Sequence, residues 1–170
     1  MGKVQQYFTN GAPGAVSRSN DEVIIAVKNA GGGDIAFGAP VFLASDGSGA
    51  EPFNITTPQE FSAFLGFAVK AESKTPDAYP SGQDNDAFSE SGAWHNEDVI
   101  EVLVRGNIVV KMATACSTGS KVYIRKSDGK LTASAGTSGS TVQLENCTVR
   151  NTRDSGANTA EIVVRERNIL

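Results

Sequence analysis

Apolar residues along the chain fall into short runs separated by clusters of turn-forming residues. The first run, VIIAV at residues 23–27, is rich in β-branched side chains and ends at the glycine-rich segment 29–34. Further runs of this kind lie at residues 40–44, 61–69, 99–105, 107–112, 121–125, 130–133, 141–149 and 160–165. No window carries the 3.6-residue period of an amphipathic helix, and residues 58–64 predict at most one helical turn. Short strands separated by turn signals predict an all-β fold with antiparallel strands, arranged as a sandwich or barrel.

Local signals add detail to this prediction. Asp128-Gly129 lies between two apolar runs and predicts a hairpin, because Asp-Gly readily adopts the positive φ angles of a tight turn. Gly66 inside an apolar run predicts a bulge or a close approach of another backbone. Weak alternation around Leu103 predicts a strand that is covered on both faces. GAPVFLASDG at 38–47 resembles GSKVYIRKSDG at 119–129, either by chance or as equivalent strand–turn units on opposite sides of a barrel.

The first 20 residues show no strand or helix period, and we interpret residues 1–20 as an extended N-terminal arm. Residues 21–170 then form a single β domain, since domains run to roughly 100–200 residues. The arm is either a disordered tail or a segment that packs on a neighbouring subunit. In the second case its candidate contact residues are Val4, Tyr7, Phe8, Pro13 and Arg18.

The longest polar interruption of the β pattern, about residues 74–97, predicts a long surface loop. Its candidate surface residues are Tyr79, Asp84, Asp86 and Trp94. The two aspartates provide oxygen ligands at alternate positions, as a calcium loop does. Phe88 and Ser89 then occupy positions where an EF-hand needs an oxygen ligand and a glycine, so no metal site is predicted.

Composition and charge exclude several classes of function. The chain has 170 residues, with 15 basic and 19 acidic side chains and a net charge of -4. This balance argues against a nucleic-acid-binding protein, which normally carries a strong basic patch. No apolar run reaches the roughly 18 residues of a membrane span, so no membrane association is expected. Residues 1–10 do not form a secretory signal, and two cysteines indicate reduced thiols of intracellular origin.

Catalytic motifs are missing from the sequence. It contains no Gly-x-Ser-x-Gly, no phosphate-binding P-loop and no Gly-x-Gly-x-x-Gly that opens a helix. His95 is the only histidine, and a surface position is the simpler interpretation than a general base for Cys116. His95, Cys116 and Cys147 are too scattered to form a recognisable zinc set. We therefore predict no catalytic residue, no cofactor and no metal.

Four segments carry a resemblance to a known family: FGAPVF, FLGFAV, EVLVRGNIVV and GSKVYIRKSDGKLTA. They resemble the capsid cement, or head decoration, proteins of tailed bacteriophages, and the similarity spans most of residues 10–165. The loop at 74–97 and the end of the chain after Cys147 match least well.

This resemblance implies a small β-rich protein, jelly-roll or barrel-like, without enzymatic activity. It implies a partner, the major capsid protein, and self-association as a dimer or trimer. The expected location is the outer capsid surface of the virion, with the host cytoplasm as the location during assembly.

Two alternatives stay open from the sequence. One is another virion β-module, such as a tail or fibre component, or a carbohydrate-binding domain in which Tyr79, Trp94 and His95 stack on a sugar. The other is a small enzyme that uses Cys116 or the acidic loop. Saturable quenching of tryptophan fluorescence by sugars favours the first, and an effect of thiol alkylation favours the second.

Overall fold

The computed structural model describes residues 11–31, 33–70, 92–153 and 158–166, together with the backbone but not the side chains of residues 18–20. Within these residues the strands are β1 (Val16–Lys28), β2 (Ile35–Ala36), β3 (Pro40–Leu43), β4 (Ala50–Pro52), β5 (Phe64–Ala68), β6 (Ala93–Trp94), β7 (Val99–Lys111), β8 (Lys121–Arg125), β9 (Leu131–Thr132), β10 (Thr141–Val149) and β11 (Thr159–Val164). One 3₁₀ turn, Phe61–Ala63, precedes β5. The all-β prediction is confirmed, and so is the single short helical turn.

Nine of these strands form one antiparallel sheet with β7 at its centre. The order is β4-β3-β5-β7-β11-β10-β8-β9, and β1 pairs with β7 outside this path. Residue pairings place β1 along one edge of β7, while β5 and then β11 follow the other edge. Strands β2 and β6 form a separate two-stranded ribbon. No helix in the described residues is long and apolar enough to cross a membrane.

Both faces of the centre of the sheet are buried, as the weak alternation around Leu103 predicted. Leu103 packs in one cluster with Phe42 and Phe67, and all three side chains are fully buried. Its neighbour Val102 is equally buried in a second cluster, which includes Trp94 from the β2–β6 ribbon. The ribbon therefore covers the face of the sheet that the larger core leaves open.

The sheet curls into a half-barrel, so that its two ends approach each other. Met112 at the end of β7 forms a bridge with Leu131 of β9. A Cβ atom built on Gly129, in the β8–β9 turn, would lie 3.4 Å from the ring of Phe53, which follows β4. Lys126 and Glu60 form an ion pair of 3.7 Å between the same two ends.

The strand–turn units at 38–47 and 119–129 have equivalent geometry. Strands β3 and β8 lie one position from opposite ends of the sheet path, and each pairs with a terminal short strand. Both following turns have a glycine with positive φ, +71° at Gly47 and +69° at Gly129. In both turns the aspartate accepts the N–H two residues later. The predicted Asp-Gly hairpin is also confirmed.

Three observations refine the strand assignments. Strand β1 begins at Val16, inside the segment that was interpreted as an arm. Its first residues pair with β7 through their backbone but show no alternation of apolar and polar side chains, so the sequence did not predict this part of the strand. The two strands expected on either side of Gly106 are one strand, because Gly106 adopts φ +127° and still pairs with Val164. A Cβ on Gly66 would lie 2.1 Å from the carbonyl oxygen of Leu103, which confirms the predicted close backbone approach.

Candidate functional site

A cleft of about 510 Å³ opens between the segment before β3, the end of β7 and the β8–β9 hairpin. Phe37, Met112 and Leu131 supply apolar side chains to its walls. The cationic side chains that line it are Lys111, Arg125, Lys130 and Arg153. No carboxylate belongs to the lining formed by the described residues. We call this region the basic cleft.

The wall nearest the N-terminus depends on two glycines in contact. Gly14 donates its N–H to Val109 across 2.8 Å, and Gly38 donates its N–H to Ala68 across 2.8 Å. Both have positive φ, +81° and +75°, and a Cβ on either would lie within about 3 Å of the other's backbone nitrogen. Pro13, a predicted contact residue, is held in the cleft wall by this packing and is buried.

The opposite wall is the β8–β9 hairpin, which an ion pair fixes in shape. Arg125 donates two hydrogen bonds to Asp128, of 3.0 Å from Nε and 2.5 Å from Nη2. These bonds lower the pKa of Asp128 and raise the pKa of Arg125. Lys130 follows Gly129 and is exposed beside this pair. The hairpin thus presents two cations to the cleft, Arg125 in an ion pair with Asp128 and the exposed Lys130.

The third side of the cleft comes from the segment between β10 and β11. Arg153 donates a hydrogen bond to the side-chain oxygen of Asn158, whose backbone has φ +56°. The carbonyl of Asn158 accepts the N–H of Met112 across 2.8 Å, which joins this segment to the end of β7. The Nε of Arg153 is buried and has no hydrogen-bond partner among the described residues.

The electrostatics of the cleft favour a negatively charged ligand. Concave surfaces lined by one sign of charge concentrate the potential and attract groups of the opposite sign. The apolar residues of the lining, Phe37, Met112 and Leu131, are buried and belong to the core beneath the cleft.

Comparisons with known proteins now identify the family. The family model described as structural cement protein (E217 gp24/Pam3 gp6) matches residues 2–166. This chain belongs to the phage structural cement proteins. Its fold resembles that of a chain in the capsid of Myoviridae phage XM1, with a TM-score of 0.67 and 20% identity. The similarity covers 97% of this chain and 96% of the other. No curated protein sequence matches.

Family membership gives the chain a structural, capsid-stabilising role in a phage virion. The chemistry of the thiols agrees with a structural role. Burial raises the pKa of the half-buried Cys116 thiol, and it raises that of the buried Cys147 thiol further. Both thiols are therefore protonated near neutral pH, whereas a nucleophilic cysteine needs a depressed pKa.

The remaining candidates for chemistry lie apart from each other. His95 is exposed and contacts Asp34 across 3.1 Å. No group of three or more potential metal-ligating side chains occurs in the part of the chain that the structure describes.

The predicted site residues lie in different parts of the cement protein. Trp94 is in β6, only 6% exposed, and donates its indole N–H to the carbonyl of Val69 across 2.9 Å. It was expected on a loop surface, but the short β2–β6 ribbon draws it into the core against Phe37. The indole of Trp94 is therefore not available on the surface to stack on a sugar. Pro13 lines the basic cleft, and the backbone of Arg18 belongs to β1. The other predicted residues lie outside the described residues: Val4, Tyr7, Phe8, Tyr79, Asp84 and Asp86.

The basic cleft was not predicted from the sequence. Two of its cations, Arg125 and Lys130, lie in a locally basic window at residues 121–130, but Lys111 and Arg153 lie elsewhere in the chain. The stretch around Arg153 also contains several arginines, but neighbouring acidic residues nearly cancel their charge. The four side chains come together only in the fold, where the β8–β9 hairpin lies beside the end of β7 and beside Arg153.

Proposed function

We propose that this chain binds the outer surface of an expanded phage head as a homo-oligomer and joins adjacent major capsid protein subunits. The match of the cement-protein family model to residues 2–166 carries this proposal. The protein is then made in the host cytoplasm and added to the head after the shell has expanded.

The basic cleft supports the proposal because its lining of cations, with no carboxylate among the described residues, would attract an acidic segment of a capsid subunit. Lys130, which is exposed and lines the cleft, is the group that such a segment would contact first.

Stabilisation of the shell follows from linkage. A protein that binds the assembled shell and not its dissociated subunits shifts the equilibrium toward the shell by mass action. A copy that contacts two subunits gains further, because the first contact raises the effective concentration of the second. No covalent chemistry is required.

The N-terminal arm is a second proposed contact. Val4, Tyr7 and Phe8 would act as its apolar anchors, since aromatic residues often dominate the energies of interfaces. Deletion of residues 2–10 tests this role while leaving β1 and the Gly14–Gly38 contact intact. The deletion is expected to lower the affinity for heads or the mass of the oligomer. Unchanged values of both would rule the arm out.

Gradient co-sedimentation tests the proposed function directly. The purified chain is mixed with undecorated expanded heads, with unexpanded heads and with dissociated capsid protein, and the bound copies per particle are counted by densitometry. We expect saturable binding at a fixed copy number to expanded heads and little binding to dissociated subunits. Absence of saturable binding to both kinds of head would contradict the proposal and favour a tail or fibre component.

A further inference from the structure

The chain contains two Asp-Gly dipeptides, Asp46-Gly47 and Asp128-Gly129, and such dipeptides are chemically prone to rearrange. The amide nitrogen of the glycine attacks the carboxyl carbon of the aspartate, water leaves, and a five-membered succinimide forms. Hydrolysis of this ring takes up one water and opens it at either carbonyl, which gives aspartate or isoaspartate. Glycine favours the attack because it has no side chain to obstruct it. Both dipeptides are therefore candidate sites of modification.

The two dipeptides share their immediate surroundings. Each follows a serine and lies in the turn after a strand, β3 or β8. In both turns the glycine N–H is hydrogen-bonded to a backbone carbonyl, that of Ala44 across 2.9 Å or that of Arg125 across 2.8 Å. Either turn must open before the ring can close, so the rate depends on the free energy of local opening. A difference between the sites must come from other contacts.

The turn at Asp128 is held by contacts that resist opening. Arg125 donates two hydrogen bonds to the Asp128 carboxylate, and the N–H of Lys130 donates a third, of 3.2 Å. These bonds favour the ionised carboxylate, which is the form that loses an oxygen least readily. The turn also packs on the other end of the sheet, since a Cβ on Gly129 would lie 3.4 Å from the ring of Phe53.

The turn at Asp46 lacks both kinds of contact. Within the part of the chain that the structure describes, the Asp46 carboxylate is bound only by Ser48, whose N–H donates across 2.9 Å. A Cβ built on Gly47 would have no atom within 4 Å, so this side of the turn faces open space. Residues 45–48 are all exposed. Opening this turn therefore breaks fewer contacts than opening the turn between β8 and β9.

We propose that Asp46 is the site of isoaspartate formation in the folded chain and that Arg125 protects the equivalent position, Asp128. Isoaspartate adds one methylene to the main chain and leaves the carboxylate directly on Cα. At Asp128 this change would break the ion pair with Arg125, which lines the basic cleft. Among the described residues the turn at Asp46 contributes nothing to the cleft lining. Ageing of the chain is thus directed to a turn away from the proposed capsid contact.

Peptide mapping of the aged full chain tests this assignment. The purified protein is kept near neutral pH for several weeks, and isoaspartate at each position is quantified by mass spectrometry with electron-transfer fragmentation, which distinguishes the two isomers. In the native chain we expect isoaspartate to form about threefold faster or more at Asp46 than at Asp128. In urea the two rates should be similar, because both positions lie in Ser-Asp-Gly.

Two results of this mapping would overturn the inference. One is a rate at Asp128 in the native chain that equals or exceeds the rate at Asp46. The other is the absence of isoaspartate at Asp46 in the native chain over a period in which the unfolded chain reacts. Neither result depends on whether the protein binds heads, so the inference and the proposed function are tested separately.

Arg125→Gln tests the protecting role. The variant loses the guanidinium that binds Asp128, so isoaspartate at Asp128 should form about threefold faster, while the rate at Asp46 in the same molecule stays unchanged. Lys121→Gln is the matched control, because it removes an exposed cation at the other end of β8 and should alter neither rate. Circular dichroism verifies that both variants are folded. An unchanged rate at Asp128 in Arg125→Gln would contradict protection by Arg125.

Discussion

Gly14 and Gly38 touch backbone to backbone beneath the basic cleft, and each adopts a positive φ angle. A Cβ on Gly38 would lie 2.8 Å from the nitrogen of Gly14, and a Cβ on Gly14 would lie 3.0 Å from the nitrogen of Gly38. This contact fixes the segment before β1 against the segment before β3. The shape of the cleft wall therefore requires glycine, which has no side chain, at both positions 14 and 38.

Alanine at either glycine should destabilise the fold. Gly14→Ala or Gly38→Ala is expected to cost about 2–5 kcal/mol of unfolding free energy, from the positive φ and from the steric conflict together. Gly119 is the matched control, because it has φ +84° but open space around the site of a Cβ. Gly119→Ala should cost only about 1–2 kcal/mol. Urea denaturation measures all three, and equal losses would show that crowding at the glycine contact is unimportant.

Charge reversal in the basic cleft should weaken attachment to heads without affecting the fold. Lys130→Glu is expected to lower capsid affinity about tenfold, which corresponds to about 1.4 kcal/mol. Lys121→Glu is the control, since Lys121 is an exposed lysine of the same hairpin that does not line the cleft. Binding to heads at increasing salt should also weaken, because salt screens the attraction. Equal affinities of the two variants would remove the cleft from the contact.

The ion pair of Arg125 and Asp128 makes the stability of the hairpin depend on pH. Its hydrogen bonds hold the folded-state pKa of Asp128 below the ordinary value of 3.8. The pair therefore stabilises the fold fully above that ordinary value, and its contribution is lost as the pH falls through the lower, folded-state pKa. Asp128→Asn should be less stable than wild type near neutral pH and equally stable in strong acid. A difference that stays constant from neutral pH to strong acid would contradict this assignment.

The two thiols should differ in their reactivity. Cys147 is 1% exposed and Cys116 is half-buried, and burial raises the pKa of both. Alkylation near neutral pH is therefore expected to modify Cys116 slowly and Cys147 only when the chain unfolds. Mass spectrometry with and without urea measures both rates. Rapid modification of Cys147 in the native protein would show that its strand opens without global unfolding.

Trp94 should behave as a core residue. Trp94→Phe removes the donor to the carbonyl of Val69 and is expected to cost about 1–3 kcal/mol of unfolding free energy. Fluorescence of the native protein, whose only tryptophan is Trp94, should be shifted to the blue and should not change with added sugars. A saturable change with one sugar would reopen the carbohydrate-binding alternative.

Strand positions could be predicted where the signal is local. The VIIAV run and the Asp-Gly turn carry their own conformational preferences, so the prediction agrees with β1 after Glu22 and with the β8–β9 hairpin. Gly106 was taken as a strand end because glycine usually interrupts strands. In the structure its positive φ lets β7 continue past the change of partner from β5 to β11.

The basic cleft and the position of Trp94 could not be predicted because both depend on contacts distant in sequence. Lys111 and Arg153 are brought together only by the pairing of β7 with β11 and by the connection that leads into it. Trp94 is buried through a two-residue pairing with Ile35 and an edge-to-face contact with Phe37. Such short pairings leave no periodic pattern in the sequence. The whole polar segment at about residues 74–97, including Trp94, was therefore interpreted as a loop.

The most direct test of the cementing role is the heat stability of heads with and without the protein. Undecorated expanded heads are titrated with the chain, and the temperature at which shells disassemble is followed by light scattering and electron microscopy. The account predicts a temperature that rises with bound copies and levels off when the sites are filled. Heads that carry the full number of copies and still disassemble at the undecorated temperature would contradict it.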